Sequence, residues 1–213
     1  MSFDIVCFDC DSTLSKIEGI DELGRQSGLF DQLVALTNAA MNGEMALEDV
    51  YGKRLDLIKP NKAQIDELAD LYISEIVDGV EEIFSTLLAQ GKQVHIISGG
   101  LRQAILPLAE KLGLAVDHVH AVDVLFDKDG SYQDFNQQSP LAKTGGKSLI
   151  CKQINTQDLS MAMIGDGKTD LEAKQAGATV IGFGGVMQRD IVVEQADVFV
   201  KESSLMAVLP HLA

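Results

Sequence analysis

The sequence predicts an α/β protein: a doubly wound, mostly parallel sheet with a small helical segment inserted after its first strand. Three observations lead there. From about residue 76 onward, short apolar runs rich in strand formers alternate with helical stretches, the pattern of successive βαβ units. The block from 14 to 75 instead places its apolar residues at helical spacing, with no strand pattern in it. Finally, Asp9, Ser98 and Asp166 each follow a separate apolar run directly or after one glycine. Strand C-terminal ends in an open parallel sheet converge on one crevice, so these three polar residues can meet in space. At 213 residues the chain suits one large domain, or a core with an insertion. The expected division is a core of residues 1-13 and 76-213 with a helical cap of 14-75.

In chain order, Ile5-Val6-Cys7-Phe8 reads as a buried strand that stops at Asp9-Cys10-Asp11-Ser12-Thr13. Two carboxylates one residue apart repel each other unless a cation offsets them. The pair is therefore a divalent-metal site or a polar turn. The helical block carries Leu33, Leu36 and Ala40, then Leu47, Val50, Tyr51, Leu55 and Ile58, then Ile65, Leu68, Leu71 and Tyr72. Asn42-Gly43 and Lys59-Pro60-Asn61 break it into separate helices.

Beyond it, Val80 to Gln90 reads as a helix stopped by Gly91, and Val94 to Ile97 as a strand ending at Ser98-Gly99-Gly100. Leu101 to Leu112 reads as a helix, and His118 to Phe126 as a strand turning at Asp129-Gly130 into Ser131 to Phe135. Gly146 to Ile154 is the next helix, and Met161 to Ile164 a strand ending at Gly165-Asp166-Gly167. The remainder alternates: helix from Leu171 to Ala176, strand from Thr179 to Gly182, helix from Asp190 to Gln195, strand from Asp197 to Val200.

Bulk composition narrows the function classes. The formal net charge of −15 repels a phosphate backbone, which argues against nucleic-acid or anionic-membrane partners. No apolar stretch is long enough to span a bilayer, and Met1-Ser2-Phe3-Asp4 lacks the start of a signal peptide. A cytoplasmic protein, monomer or homodimer, is the expectation. Three sparse cysteines make no disulfide framework. Cys7 and Cys10 straddle a strand end rather than opening a helix, so they read as buried thiols.

The glycine-flanked loop Asp166-Gly167-Lys168-Thr169-Asp170 adds hard oxygen donors to the first acidic pair. Together they suit Mg²⁺, which takes few carboxylates and keeps several waters. Lys147 follows Gly145-Gly146 at an expected helix start, where backbone N–H groups and a full positive charge favour an anion. Look-alike motifs fail on spacing. Leu141 stands where a P-loop needs its first glycine, and Met187 where a dinucleotide fingerprint needs its third. Asp127 to Gly130 lacks EF-hand spacing, and His95, His118, His120 and His211 have no metal-ligand spacing.

Asp9-x-Asp11-x-Thr13, Ser98, Lys147 and Gly165-Asp166-Gly167-x-x-Asp170, in this order, resemble the haloacid dehalogenase (HAD) superfamily of aspartate-nucleophile phosphatases. Glu18-Gly19-Ile20-Asp21-Glu22-Leu23, Met41-Asn42-Gly43, Arg54-Leu55, Ile97-Ser98-Gly99-Gly100, Gly145-Gly146-Lys147 and Ile181 to Gly185 are similar to its phosphoserine phosphatase family. The likeness runs nearly the full length. It departs at Leu47, where the family usually places phenylalanine, and at Lys168, where a small or neutral residue is common.

The resemblance implies a Rossmann-like HAD core with a lid, and Mg²⁺ as cofactor held by Asp9, the Asp11 backbone carbonyl and Asp166. It implies Asp9 as nucleophile, Asp11 as acid and base, and Thr13 as support for Asp11. Ser98, Gly99, Thr13 and Lys147 would hold the phosphate, with Asp170 orienting Lys147 or a water. Glu18 would meet the ammonium of L-phosphoserine and Arg54 its carboxylate, with Met41, Leu47 and Thr169 completing the pocket. Another small phosphomonoester, or phosphate transfer to an alcohol such as homoserine, remains open. A receiver-like signalling domain also pairs a strand-end aspartate with Mg²⁺ and Lys, but on a middle strand and without a helical lid.

Overall fold

The computed structural model describes residues 2–42 and 44–212. Gly43, one of the expected helix breakers, lies outside the described residues, as does Met1. The chain opens with β1 (Ile5–Phe8), four residues that are all buried. Then follow α1 (Gly19–Gln26), α2 (Phe30–Met41), α3 (Leu47–Ile58) and α4 (Lys62–Ser74). Asn61 caps α4: its side chain accepts from Gln64 N–H while the Gln64 side chain accepts from Asn61 N–H.

The two ends of this helical stretch are tied together. Lys16 N–H donates to the Glu75 carbonyl at 2.8 Å and Val77 N–H to the Leu14 carbonyl at 2.9 Å, around a bridge between Ser15 and Ile76.

The rest alternates as βαβ units do. In order come α5 (Val80–Ala89), β2 (Gln93–Leu101), α6 (Arg102–Lys111), β3 (Val119–Val122), β4 (Val124–Phe126) and β5 (Tyr132–Phe135). They are followed by α7 (Gly146–Ile154), β6 (Met161–Gly165), α8 (Lys168–Leu171), β7 (Thr179–Phe183), α9 (Asp190–Gln195) and β8 (Val198–Val200). Six strands form one parallel sheet in the order β3-β2-β1-β6-β7-β8. β1 is the switch point: the next strand in sequence lies on one side and β6 on the other. That is where an open α/β sheet leaves a crevice at its C-terminal edge. β1 and β6, at the centre of the sheet, are apolar and buried along their whole length, as strands covered on both faces are; Val6, Phe8, Ile96 and Ile164 are fully buried.

Three expectations are corrected. β2 does not stop at Ile97; it continues through Ser98-Gly99-Gly100 to Leu101 with a register shift against β3. The two glycines, poor strand formers, tolerate that irregularity. The run from His118 to Phe126 is not one strand: β3 joins the main sheet, while β4 pairs antiparallel with β5 as a separate hairpin. The expected helix from Leu171 to Ala176 is α8 ending at Leu171, then a 3₁₀ turn over Glu172–Ala176. Among the described residues no helix is long and apolar enough to cross a membrane.

Candidate active site

β1 delivers Asp9 to the crevice, and the neighbouring strands deliver its partners. Asp9 N–H donates to the Ile164 carbonyl of β6 at 2.9 Å, and its Oδ1 accepts from Cys10 N–H at 2.7 Å. Its Oδ2 lies 2.7 Å from Lys147 Nζ. The same ammonium lies 2.6 Å from Asp170 Oδ1, and Asp170 Oδ2 accepts from Gly167 N–H at 2.9 Å. Burial works against the charge on Lys147, but the Asp170 and Asp9 carboxylates outweigh it and hold its pKa above the usual lysine value. Lys147 is therefore a fixed cation beside Asp9. Gly165, at the end of β6, has no room for a side chain because the Asp170 carboxylate packs against it.

One oxygen each from Asp9, Asp166 and Asp170 lies within 4.8 Å of the other two, and all three residues are buried. Burial, then the charge of Asp9, pushes Asp166 up to about 6. A cation among these oxygens relieves that repulsion, and an all-oxygen set suits a hard divalent ion. The donors present fit a metal site. Asp11's carboxylate stands apart from this trio. Its Oδ1 accepts from Tyr72 Oη at 2.6 Å and from Gly19 N–H at 2.9 Å. The side-chain hydrogen bond of Thr13 goes not to Asp11 but to Asp166, with Thr13 Oγ1 donating to Oδ1 at 3.4 Å. Burial pushes the Asp11 carboxyl up to about 7, against the Tyr72 hydrogen bond and with the charge of Asp9.

The cleft above these groups is bounded by the core on one side and by α1, α2 and α3 on the other. Asp9, Asp11, Ser98, Gly99, Lys147, Asp166 and Thr169 face it from the core; Glu18, Met41, Leu47 and Arg54 face it from the helical stretch. Every expected site residue except Thr13 and Asp170 lines it, and those two contact Asp166 and Lys147 directly. Leu47 is buried there. Ser98 is fully buried, and its hydroxyl accepts from Gly100 N–H at 3.0 Å. Arg54 is 3% exposed, an uncommon burial for a guanidinium. Its Nη1 donates to Thr37 Oγ1 at 2.9 Å, and its Nε has no partner. A buried guanidinium with an unsatisfied donor is able to bind an anion.

Several site residues were not anticipated. Arg189, buried ahead of α9, donates to Asp166 Oδ2 at 3.1 Å, to Asn38 Oδ1 at 3.2 Å and to Glu18 Oε1 at 3.4 Å. It offsets the two carboxylates, and through Asn38 it joins the core to α2. No spacing in the sequence marks it. Ser12 adopts the left-handed conformation at φ 52° and donates to Glu18 Oε1 at 2.8 Å. Asp21 accepts from Thr37 at 2.6 Å, which completes the chain from Arg54. Tyr72 and Tyr51 occupy apolar helix positions in the sequence, yet both hydroxyls reach the site.

Comparison with known proteins agrees with this geometry. The model of the haloacid dehalogenase-like hydrolases matches residues 3–177, and the chain belongs to that family. Among curated relatives it is 38% identical over 201 residues to a Drosophila melanogaster phosphoserine phosphatase, covering 93% of this chain and 74% of that one. It is 35% identical over 203 residues to the Homo sapiens phosphoserine phosphatase, covering 94% and 90%. A solved structure described as a phospho-aspartyl intermediate analogue of phosphoserine phosphatase superposes with a TM-score of 0.84 at 29% identity, covering both chains completely.

Proposed function

We propose that the protein is a cytoplasmic, Mg²⁺-dependent phosphoserine phosphatase, releasing phosphate from O-phospho-L-serine through an aspartyl-phosphate on Asp9. The observation that carries this reading is the pairing of two halves in one cleft. A strand-end Asp9 sits 2.7 Å from a buried lysine. Across from it, a buried arginine with a free donor and a carboxylate suit the two charged ends of an amino acid.

Asp9 attacks phosphorus, the bond to the serine oxygen breaks, and the phosphoryl group rests on the carboxylate. That divides one hard displacement into two easier ones. Lys147 and Ser98 hold phosphoryl oxygens, where charge must be stabilised in the transition state. Asp11, kept partly protonated near neutrality by burial, gives its proton to the leaving oxygen and then takes one from the attacking water. Asp9, Asp166 and the Asp11 carbonyl would hold the Mg²⁺, with Asp170 fixing Lys147 beside them. When bound, the ion offsets repulsion between the anionic nucleophile and the anionic phosphate. Glu18 receives the ammonium and Arg54 the carboxylate, while Met41, Leu47 and Thr169 fill the wall between. Residues 14-75 act as a lid on the 1-13 and 76-213 core, hinged where Ser15 and Ile76 pair.

The deciding experiment is phosphate release from L-phosphoserine beside a panel of small phosphomonoesters, with and without alcohol acceptors. Preference for phosphoserine with water as acceptor supports the reading. Faster turnover of another monoester, or phosphate moved mainly to an alcohol, overturns the substrate assignment.

A further inference from the structure

α3 presents Leu47, Glu48, Tyr51 and Arg54 to the core, at steps that keep side chains on one helix face. Two of them make hydrogen bonds that the chemistry above does not use. Tyr51 Oη donates to the Gly99 carbonyl at 2.7 Å, next to Ser98. Glu48 accepts twice from Thr144: from its N–H at 2.9 Å and from its Oγ1 at 2.7 Å. Thr144 Oγ1 in turn accepts from Leu47 N–H at 3.3 Å. Thr144 runs through Gly145, at φ 83°, into α7 and Lys147. The turn between them has little slack, because the Pro140 carbonyl packs where a Gly146 side chain would stand. One helix of the inserted stretch thus grips both segments that carry phosphate-holding groups, one beside Ser98 and one three residues ahead of Lys147.

We propose that Tyr51 and Glu48 are positioning residues that latch α3 onto Gly99 and Thr144, so that closure of the helical stretch sets Ser98 and Lys147 for phosphoryl transfer. The inference rests on the phosphatase reading above. Neither residue needs to touch the reacting atoms. The Tyr51 hydroxyl is a buried donor satisfied by the core backbone, so lifting α3 leaves both it and the Gly99 carbonyl to find new partners. Glu48 lies at the surface, where its bonds can be remade by water. The Thr144 N–H donates to the inserted helix alone, so its protection from exchange follows closure directly.

The test uses the full chain with Tyr51→Phe, Thr144→Val, their double variant and Thr144→Ser. Tyr51→Phe, which removes one neutral hydrogen bond, and Thr144→Val, which removes an exposed bond to the Glu48 carboxylate and one from Leu47 N–H, should each lower kcat/KM for L-phosphoserine roughly three- to tenfold. The double variant should lose less than the product, since either break frees the same helix. Thr144→Ser, which keeps the hydroxyl, should restore wild-type rates. Hydrogen exchange with saturating inorganic phosphate should show faster exchange of the amides at 144–148 in Thr144→Val. Rates within twofold of wild type in the double variant, or Thr144→Ser as impaired as Thr144→Val, overturn the latch. If wild type does not hydrolyse phosphoserine, the substrate reading fails. Exchange still decides the latch in that case: equal rates at 144–148 in wild type and Thr144→Val with phosphate present reject it.

Discussion

Tyr72 Oη lies 2.6 Å from Asp11 Oδ1, so the last helix of the inserted stretch holds the second aspartate of the loop after β1. The Gly19 N–H shares the same oxygen at 2.9 Å. Both donors come from outside the core, which makes the orientation of Asp11 depend on how the helical stretch is seated. Burial holds the Tyr72 phenol well above its usual pKa, so it remains a donor through the working range.

Removing that donor should be visible in turnover. A hydrogen bond to a charged group contributes about 1.5–3 kcal/mol, so Tyr72→Phe should lower kcat on the order of ten- to a hundredfold. The bond favours the ionised Asp11, and its loss raises the Asp11 pKa. If Asp11 donates the proton, the alkaline limb of kcat/KM moves to higher pH. Gly19→Ala should do at least as much harm, because the added Cβ would collide with the Tyr72 hydroxyl. Wild-type kcat in Tyr72→Phe would separate Asp11's role from its partner.

Asp9→Asn should abolish turnover while leaving the fold intact. The amide is close to isosteric, but it is a poor nucleophile and loses the ion pair to Lys147. Rapid-quench labelling of wild type should trap an acid-stable, hydroxylamine-sensitive phosphoenzyme. Label retained by Asp9→Asn at the wild-type level would place the phosphoryl group elsewhere.

Metal dependence follows from the buried Asp9 and Asp166 carboxylates, which lie together in one acidic cluster with the Lys147-bound Asp170. EDTA should remove activity and Mg²⁺ restore it. High Ca²⁺ should inhibit, since a larger ion with looser coordination disturbs in-line geometry. Full turnover in a metal-stripped sample contradicts the reading.

Much of this site was legible because strand ends are legible. Asp9 and Asp166 punctuate apolar runs that periodicity identifies, and parallel strands bring such ends together without further information. Gly145-Gly146-Lys147 announced its helix start in the same way. Arg189 was not legible: it enters from the loop before α9, and its three partners lie at positions 18, 38 and 166. Tyr51 and Tyr72 were hidden for another reason. Each fits an apolar helix face, and only the fold shows that the ring is buried while the hydroxyl reaches the crevice. The β2 boundary was misplaced because Gly99-Gly100 reads as a strand stop, whereas pairing with β3 resumes beyond it at Leu101.

The histidines at the β2–β3 edge give a stability prediction. His95 is 7% exposed, its ring stacks on His118 with centroids 4.3 Å apart, and its Nδ1 lies 3.3 Å from His120 Nε2. Burial, then the neighbouring His118 and His120, pushes His95 down to about 4. The unfolded chain takes up this proton near pH ~6.5, well before the folded one does. His95 therefore contributes stability above pH ~6.5 that is lost as pH falls toward 4. Denaturant unfolding at pH 7 and pH 5 should show a smaller pH 5 loss for His95→Gln than for wild type. Equal losses would show that this ring does not titrate with unfolding.

Substrate choice tests the two charged residues of the helical stretch. Arg54 is buried, is held through Nη1 by Thr37, and keeps an unsatisfied Nε. Glu18 is tied to Ser12 and Arg189 through the same oxygen, Oε1. If Arg54 binds the substrate carboxylate, its burial makes that contact matter more than a surface pair would. Arg54→Ala should cost on the order of ten- to a hundredfold or more in kcat/KM for phosphoserine, the value of one or more charge-assisted hydrogen bonds. Phosphoethanolamine has no carboxylate and should suffer much less from the same change. Glu18→Ala should give the mirror pattern, hurting phosphoserine more than an analogue without the ammonium. If Arg54→Ala slows phosphoserine and phosphoethanolamine by one common factor, Arg54 supports the cleft rather than reading the carboxylate. The substrate would then be reassigned among the phosphomonoesters, while the chemistry at Asp9 could stand unchanged.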